Sequence, residues 1–499
     1  MTEALIALQE VFTTPMVVIW ILLGTSLGIT VGAIPGLTGA MLIALSLPLT
    51  YGMLPAEAMV LLVSMYVGSI SGGLIMATLL RMPGSPASVI TTLDGYPMAR
   101  AGRPGRALGL GIMASFVGGL VSWIFLLLLA KPISSISMRL GSFDYFALVM
   151  VALVLIASVS GKSLAKGIFA GLLGILVSIP GESPATGTSR WTLGLEPLND
   201  GLALLPVLIG LFAVSQILHE VGRGDVKIES SQLDRGGVLL GLRDWWQHRW
   251  NMLRSSVIGT WVGILPGIGA NVGSVIAYAA ARGISRDPDK FGQGAEEGIV
   301  ASEAANNATI GGALIPLVAM GIPGSVIDAI LLGALVLHGL QPGAVLFNNN
   351  PTVVYTIIFT MFFANIVMFA MMIGSVRWIA RLAATPRHLL LPVIMVFCVI
   401  GSYALNNRLF DVWVMLAFGL AGFLLERCKV PLAPFVIGFV LSPIAEKKLG
   451  AGLQASNGSW WPLLTEPFSL VCCLVAAGLF IYPLWRGYRQ SPTVSIRTG

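Results

Sequence analysis

Long apolar stretches follow one another along almost the whole chain, and they constrain the fold more than any other feature. A helix needs about 20 apolar residues to cross a hydrocarbon core that is about 30 Å thick. The stretches that approach or exceed this length are 16–48, 57–80, 107–130, 143–160, 163–180, 200–218, 254–281, 299–320, 325–340, 352–379, 388–405, 409–425, 430–445 and 464–485. Some are short or interrupted by Gly and Pro. We therefore expect an all-α polytopic membrane protein with about 11–13 transmembrane helices plus re-entrant hairpins.

The scarcity of charge supports this fold class. Charged residues make up 10% of the 499 positions and hydrophobic residues 56%, whereas soluble domains carry about 25% charged residues. The net charge of +6 comes mainly from Lys and Arg in short hydrophilic connections, as in cytoplasmic loops of membrane proteins. It therefore indicates neither a soluble globule nor a nucleic-acid partner, and membrane lipid is the expected surrounding.

The longest hydrophilic segment divides the chain. It spans 222–254 and contains six basic residues together with Trp245, Trp246 and Trp250, a pattern typical of an amphipathic interfacial helix. We place it in the cytoplasm between two membrane halves. The predicted division is a first membrane repeat at 1–221, a basic and aromatic linker at 222–254, the core of a second repeat at 255–385, and C-terminal transmembrane helices that complete this repeat at 386–499.

Three motifs recur in the same order in the two halves. The first half contains GAIPGLTG (32–39), SGG (71–73) and MPGS (82–85), and the second contains GILPGIG (263–269), IGG (310–312) and IPGS (322–325). The first and last prolines are 48 positions apart in one half and 57 in the other. Such ordered recurrence predicts a duplicated architecture.

Loop charge predicts that the two copies have opposite orientations. The loop after the first MPGS carries Arg100, Arg103 and Arg106, whereas the corresponding stretch 338–350 has no Lys or Arg. After the opening motif the order is reversed, because 50–56 has no basic residue and 282–290 has three. Corresponding loops then lie on opposite sides of the membrane, which is the arrangement of inverted-topology repeats.

The four Pro-Gly pairs are expected to break helices inside the membrane. We call them the Pro35, Pro83, Pro266 and Pro323 breaks. Broken backbone is tolerated at this depth only where it lines a cavity or is buried in protein, and paired broken helices in two repeats indicate a transporter's binding site. The alternative is that Gly and Pro only kink packed helices. The candidate substrate-binding residues are Pro35, Gly36, Thr38, Gly39, Arg81, Pro83, Gly84, Ser85, Pro266, Gly267, Gly269, Asn271, Pro323, Gly324 and Ser325.

Polar residues at membrane depth supply candidates for ion coupling. Glu303 opens the apolar segment SEAANNAT (302–309), and Asp328 follows the Pro323 break. An ionisable residue inside the membrane is expensive and usually functional, although both carboxylates are also compatible with helix-start positions. Backbone carbonyls and amides would bind Na⁺, whereas Glu303 or Asp328 would carry H⁺. The ion-coupling candidates are Thr38, Asn271, Glu303, Asn306, Asn307 and Asp328, and Na⁺ is favoured over H⁺.

Arg81 is the one basic residue beside a break, between Leu80 and Met82. Its guanidinium is suited to bind a substrate carboxylate in bidentate fashion, and the alternative is a side chain that snorkels to an interface. The sequence contains no catalytic triad, phosphate-binding loop or metal-ligand cluster, so we expect no cofactor, no metal other than a coupling Na⁺, and no enzymatic activity.

At these residues the sequence resembles the large membrane subunit of the tripartite tricarboxylate transporter family. The similar stretches are 32–39, 65–108 (with MPGSPAS and LDGYP) and 259–343 (with LPGIGA and GIPGS). One position departs from the family pattern, because Arg81 stands where members usually carry a small amide.

The resemblance implies a secondary transporter in the bacterial inner membrane. A periplasmic solute-binding protein would deliver a di- or tricarboxylate such as citrate, a small membrane subunit with a few helices would be the second partner, and a Na⁺ or H⁺ gradient would drive import. An elevator-type movement is compatible with the duplicated hairpins. The competing hypotheses are a passive anion channel and an intramembrane lipid-linked enzyme.

Overall fold

A computed structural model describes residues 2–34, 36–82, 86–159, 163–223, 238, 241–266, 269–382 and 387–490. In chain order its helices are α1 Thr2–Thr13, α2 Pro15–Gly32, α3 Gly39–Thr50, α4 Pro55–Leu80, α5 Thr91–Arg100, α6 Pro104–Ser137, α7 Ser142–Val159, α8 Leu164–Val177, α9 Leu204–Ile209, α10 Ser215–Arg223, α11 Leu242–Ile264, α12 Gly269–Ile284, α13 Glu296–Met320, α14 Val326–Leu337, α15 Ala344–Asn349, α16 Pro351–Leu382, α17 Arg387–Asn406, α18 Leu409–Arg427, α19 Leu432–Ala455, α20 Pro462–Thr465 and α21 Pro467–Gln490. A π-helical segment, Gly210–Val214, joins α9 to α10.

The predicted all-α membrane class is confirmed. Within the described ranges, six helical segments are long and apolar enough to cross a membrane, namely Pro15–Gly32, Pro55–Leu80, Pro104–Ser137, Leu204–Gly222, Pro351–Val376 and Leu409–Arg427. Seven shorter apolar helices of 10–17 residues accompany them. The expected total of about 11–13 crossings with re-entrant hairpins therefore stays a prediction.

The chain forms two compact units. The long unit comprises Met1–Arg139 and Leu202–Arg427, and the short unit comprises Leu140–Gly201 and Cys428–Gly499. This division by contacts cuts across the predicted division by repeats, since the first predicted repeat contributes to both units. The predicted boundary at 254 also falls inside α11, which begins at Leu242 within the predicted linker.

The short unit is built on α7, α8, α19 and α21, and its glycines allow close backbone contact. A Cβ on Gly174 of α8 would lie against the carbonyl oxygen of Phe435, and one on Gly438 of α19 would lie against that of Gly171. A two-stranded hairpin follows α8, with β1 (Gly181–Glu182) antiparallel to β2 (Ser189–Arg190). Arg190 of this hairpin pairs with Glu446 of α19 at 2.6 Å.

Two fully buried helices form the core of the long unit. Every residue from Ala58 to Leu79 of α4 and from Gly298 to Ala319 of α13 is buried. Helix α4 packs on α2 and α16, and α13 packs on α11 and α6. Helices that neighbours enclose in this way have no lipid-facing stripe, so polar side chains are tolerated along them when they find partners.

Glycines set the same register in the α2–α4 and α11–α13 helix pairs. A Cβ on Gly32, three residues before Pro35, would lie 2.3 Å from the Ser69 carbonyl oxygen, and one on Gly263, three residues before Pro266, 2.6 Å from that of Thr309. Ser69 and Thr309 each lie 14 residues before the second proline of their half. Small residues let membrane helices approach this closely, so both pairs use one packing solution.

A second set of glycines repeats this correspondence. A Cβ on Gly28 would lie 2.5 Å from the Met65 carbonyl oxygen, and one on Gly259 2.3 Å from that of Ala305. Gly28 and Gly259 each lie seven residues before the first proline, and Met65 and Ala305 each lie 18 residues before the second. The correspondence therefore extends over two turns of each pair.

Charged side chains join the starts of three helices at one end of the long unit. The Arg106 guanidinium of α6 lies 2.6 Å from the Asp244 carboxylate of α11 and 3.0 Å from that of Glu296 on α13. The hydrogen bond from Arg106 holds the pKa of Asp244 below its usual range. Trp245 packs edge-on against Phe116, with ring centroids 6.2 Å apart, so this end of α11 is anchored in the bundle.

Candidate functional site

The Pro35 break separates α2 from α3 by a short irregular segment. Gly36 has a φ of 84°, which favours glycine, and Thr38 is the N-cap of α3, its hydroxyl accepting from the Met41 N–H at 3.2 Å. Pro35 itself lies outside the described residues. A carboxylate missed at the sequence level stands beside this break, because a Cβ on Gly36 would lie 2.5 Å from Glu220 Oε1.

The Pro323 break separates α13 from α14 in a similar way. Gly321 caps α13 with a φ of 73°, and Ser325 is the N-cap of α14, accepting from the Asp328 N–H at 3.3 Å. Pro323 and Gly324 are buried. A Cβ on Gly324 would lie 2.9 Å from the Gly263 carbonyl oxygen, so this break touches the end of α11 that leads to the Pro266 break.

The structure brings the N-terminal ends of α3 and α14 together. A Cβ on Gly39, the first residue of α3, would lie 2.3 Å from Ser69 Oγ and 3.3 Å from Ile327 Cδ1 of α14. The Tyr66 hydroxyl of α4 lies 3.4 Å from Ser325 Oγ. The helix dipole gives each of these ends a positive partial charge. Two such ends, one from each half, meet beside the buried helix α4.

The structure describes the Pro266 and Pro83 breaks only in part. Helix α11 ends at Ile264, Pro266 is half-buried, and α12 begins at Gly269. A 3₁₀ turn, Pro86–Val89, follows the Pro83 break and packs on α12. The remaining predicted positions, Pro83, Gly84, Ser85, Gly267 and the side chain of Asn271, lie outside the described residues.

Arg81 lies at the surface of the long unit. It is the C-cap of α4 with a left-handed backbone, φ 55°, at the position that Gly321 occupies in the second half, two residues before the proline. The side chain is exposed, and its guanidinium carbon lies 5.7 Å from the centroid of the Tyr96 ring. A role in carboxylate binding stays a prediction.

Glu303 is fully buried and hydrogen-bonded by two other helices. Thr91 of α5 donates to its Oε1 at 2.5 Å, and Ser115 of α6 donates to its Oε2 at 3.2 Å. Asn306 lies one turn further along α13, and its buried amide lies beside Glu303 without either of its polar atoms meeting hydrogen-bond geometry. Asn307 instead accepts from Ser71 of α4 at 2.6 Å. Sequence reasoning found Glu303 but had no signal for its partners.

Asp328 is equally buried but differently placed. It lies in the first turn of α14, and neither of its carboxylate oxygens meets hydrogen-bond geometry. Its polar neighbours are Ser325 and Tyr66. The pattern Ser-x-x-Asp is that of a capping box, so a helix-start role and an ion-coupling role are both compatible with this position.

Asp94 anchors one half to the other, which sequence reasoning did not predict. Its Oδ1 accepts from the N–H groups of Gly292, Gly294 and Ala295 at 2.8–2.9 Å, and its Oδ2 accepts from the Tyr278 hydroxyl at 2.8 Å. These groups belong to α12 and to the loop between α12 and α13. The glycines of that loop are the sequence signal for such backbone donation.

Comparison with known proteins places the chain among transporters. A model of the tripartite tricarboxylate transporter TctA family matches residues 18–437. An uncharacterized 52.8 kDa protein from the TAR-I ttuC′ 3′ region of Agrobacterium vitis is 32% identical over 471 residues, 94% of this chain and 93% of the relative. An uncharacterized protein from the TAR-II ttuC′ 3′ region of the same organism is 32% identical over 225 residues, 44% of this chain and 93% of the relative. No solved structure matches.

Proposed function

Because the chain belongs to the tripartite tricarboxylate transporter TctA family, we propose that it is the large membrane subunit of a secondary transporter that imports di- or tricarboxylates such as citrate. It receives the substrate from a periplasmic solute-binding protein, works with a small membrane subunit, and resides in the bacterial inner membrane. A Na⁺ or H⁺ gradient drives the uptake.

The meeting of the α3 and α14 N-terminal ends is the observation that supports this proposal. Two or three negative charges must be compensated where the hydrocarbon core would reject them. Each helix end contributes about half a positive charge, and Thr38 and Ser325 stand at these ends with hydroxyl groups. The pair of ends therefore contributes positive partial charge toward carboxylate groups, and it must also offset the Asp328 carboxylate in the first turn of α14.

The duplicated packing supports two inverted repeats around this site. Helix α14, after the Pro323 break, packs on α3, and the 3₁₀ turn after the Pro83 break packs on α12. Each half thus contributes the segment after one break to the hairpin of the other half. Repeats arranged in this way permit alternating access, and an elevator-type movement of a substrate domain is one form of it.

The test is uptake of radiolabelled citrate and succinate by cells that also express the two partner subunits. Gly39→Ala places a methyl group 2.3 Å from Ser69 Oγ, between the two helix ends. We expect uptake to fall at least about tenfold, equivalent to about 1.4 kcal/mol of binding, at unchanged protein level in the membrane. Gly52→Ala is the control, because nothing lies within 4 Å of a Cβ there.

Full uptake by the Gly39→Ala variant would contradict the proposed position of the site. Accumulation of citrate against its gradient distinguishes a secondary transporter from a passive anion channel. Downhill flux alone, with no requirement for the binding protein, would contradict the proposed function itself.

A further inference from the structure

Five oxygen-bearing side chains meet inside the long unit, away from the α3 and α14 ends. We call Glu303, Thr91, Ser115, Ser302 and Asn306 the Glu303 cluster. Thr91 Oγ1 lies 2.5 Å from Glu303 Oε1 and 3.1 Å from Ser302 Oγ, and Ser115 Oγ lies 3.2 Å from Glu303 Oε2. Helices α5, α6 and α13 each contribute, and the exposed fraction of Glu303 is 0%.

The cluster carries one acidic group, and none of the ion pairs among the described residues gives it a basic partner. The described ion pairs engage the nearest basic residue of α6, Arg106, with Asp244 and Glu296 instead. Asp94 of α5 is engaged with the loop before α13. An ionised carboxylate without a counter-charge is costly in a dry interior, so a small cation would stabilise Glu303 there.

Asn306 is the second observation that points to a ligand. It follows Glu303 by three residues on α13, so both side chains project from one helix face. Its exposed fraction is 0%, and its amide lies beside the Glu303 carboxylate although neither the amide oxygen nor the amide nitrogen meets hydrogen-bond geometry. Buried amides are normally satisfied. A bound cation would use the amide oxygen beside the carboxylate.

We infer that the Glu303 cluster binds the monovalent cation that accompanies transport, with Na⁺ as its ligand. This inference rests on the proposed function for the link to transport. The cluster offers two carboxylate oxygens, three hydroxyl oxygens and one amide oxygen, which are the hard donors that such a cation prefers. One carboxylate neutralises one positive charge, so a divalent ion would leave a buried net charge.

The position of the cluster connects the cation to the helix breaks. Thr91 begins α5, directly after the 3₁₀ turn that follows the Pro83 break. The Ser302 carbonyl oxygen accepts from Ser274 Oγ of α12, the helix after the Pro266 break, at 3.2 Å. A cation that draws Thr91 and Ser302 together orders the segments after both breaks. Cation binding is thereby linked to the positions of α5 and α12, one from each half.

The experiment measures ²²Na⁺ binding to the purified full chain in detergent, with choline chloride keeping ionic strength constant. Glu303→Gln retains the side-chain shape and removes the charge, and we expect its Kd for Na⁺ to rise at least about 100-fold. Thr91→Val should raise the Kd about tenfold, since loss of a supporting ligand costs about 10–100-fold at metal sites. Thr356→Val is the control, because Thr356 of α16 is a buried hydroxyl outside the cluster.

Three results would overturn the inference. Unchanged Na⁺ binding by Glu303→Gln places the site elsewhere, and loss of binding in Asp328→Asn alone moves it to α14. Absence of saturable ²²Na⁺ binding by the native protein means that the chain holds no Na⁺ site. The assay uses neither carboxylate nor partner subunits, so a failure of carboxylate uptake does not affect its result. Normal carboxylate uptake together with intact Na⁺ binding by Glu303→Gln would overturn this inference and leave the proposed function standing.

Discussion

Helices α4 and α13 occupy equivalent places in their helix pairs, yet their buried polar residues differ in kind. Glycines at matching offsets hold α4 against α2 and α13 against α11. The polar residues buried along α4 include the hydroxyls of Ser64, Ser71 and Thr78, whereas α13 adds a carboxylate and two amides. The two halves therefore share their helix packing, but they do not share the buried carboxylate and amides.

The matched positions make the difference concrete. Glu303 lies 20 residues before Pro323, and the residue 20 positions before Pro83 is Val63. Asn306 corresponds in the same way to Tyr66, whose hydroxyl faces Ser325. Packing depends on the small residues that both copies contain, whereas a cation site needs one set of ligands only. Duplication therefore accounts for the shared helix packing, and the side chains of the inferred cation site need a separate explanation.

The largest expected effect tests the shared packing. Gly32→Val and Gly263→Val each place a side chain within 2.6 Å of a carbonyl oxygen on the partner helix. Since the helices must then separate, we expect a loss of about 3 kcal/mol or more of stability in either half. Size-exclusion chromatography in detergent should show no monodisperse protein, whereas Gly374→Val on α16, with nothing within 4 Å, should behave normally. Monodisperse protein from either the Gly32→Val or the Gly263→Val variant would show that the two helix pairs are not equivalent.

A smaller loss is expected at an anchor that only the first half possesses. Asp94 accepts four hydrogen bonds, and the residue at the same distance after Pro323 is Ala334. Asp94→Asn keeps the size but loses charge and acceptor capacity, so we expect about 2–3 kcal/mol of destabilisation. Thermal unfolding in detergent measures it. The control is Asp287→Asn in the same loop, because its pair with Lys290 is solvent-exposed and should contribute little to stability; equal effects would refute the anchor.

The charge at Arg81, which the second half replaces with Gly321, should affect uptake more moderately. We expect Arg81→Ala to lower initial carboxylate uptake about tenfold, or about 1.4 kcal/mol. Arg81→Lys should retain part of it, because the charge remains but the planar guanidinium does not. Radiolabelled citrate and succinate uptake measures both. Normal transport by Arg81→Ala would show that the exposed side chain has no substrate role.

The hydrogen bond between α4 and α13 should contribute about 1 kcal/mol. Ser71→Ala leaves Asn307 Oδ1 without the donor that now lies 2.6 Å away, and a buried acceptor left unpaired is destabilising by about this amount. Ser46→Ala is the matched control, because Ser46 donates within its own helix to Leu42. Equal melting temperatures for the two variants would show that the hydrogen bond between the core helices does not contribute measurably to stability.

The smallest effects concern the two C-caps. Arg81 has a φ of 55° and Gly321 a φ of 73°, and a non-glycine residue in this conformation costs about 1 kcal/mol. Arg81→Gly should therefore stabilise the fold by about 0.5 kcal/mol after loss of the contact with Tyr96, whereas Gly321→Ala should destabilise it by about 1 kcal/mol. Changes of the same sign in thermal unfolding would disprove the equivalence of the caps.

The sequence by itself determined the membrane class, the family and the positions of the helix breaks. These properties are local: hydropathy depends on composition over one span, and Pro or Gly ends a helix wherever it stands. Glu303 and Asp328 could also be singled out as candidates from the sequence, since a carboxylate in an apolar stretch is rare. The Na⁺ or H⁺ coupling, the inverted repeats and the substrate stay predictions.

Only the tertiary structure decided which elements meet. It joined the end of α14 to that of α3, brought Thr91 and Ser115 to Glu303, set Glu220 beside Gly36, and left the Arg81 side chain exposed. Neighbours in these contacts are separated by tens to hundreds of positions along the chain. Which helices pack together depends on where their glycines allow close contact. Such long-range contacts produce no periodicity or compositional bias in the sequence around either residue.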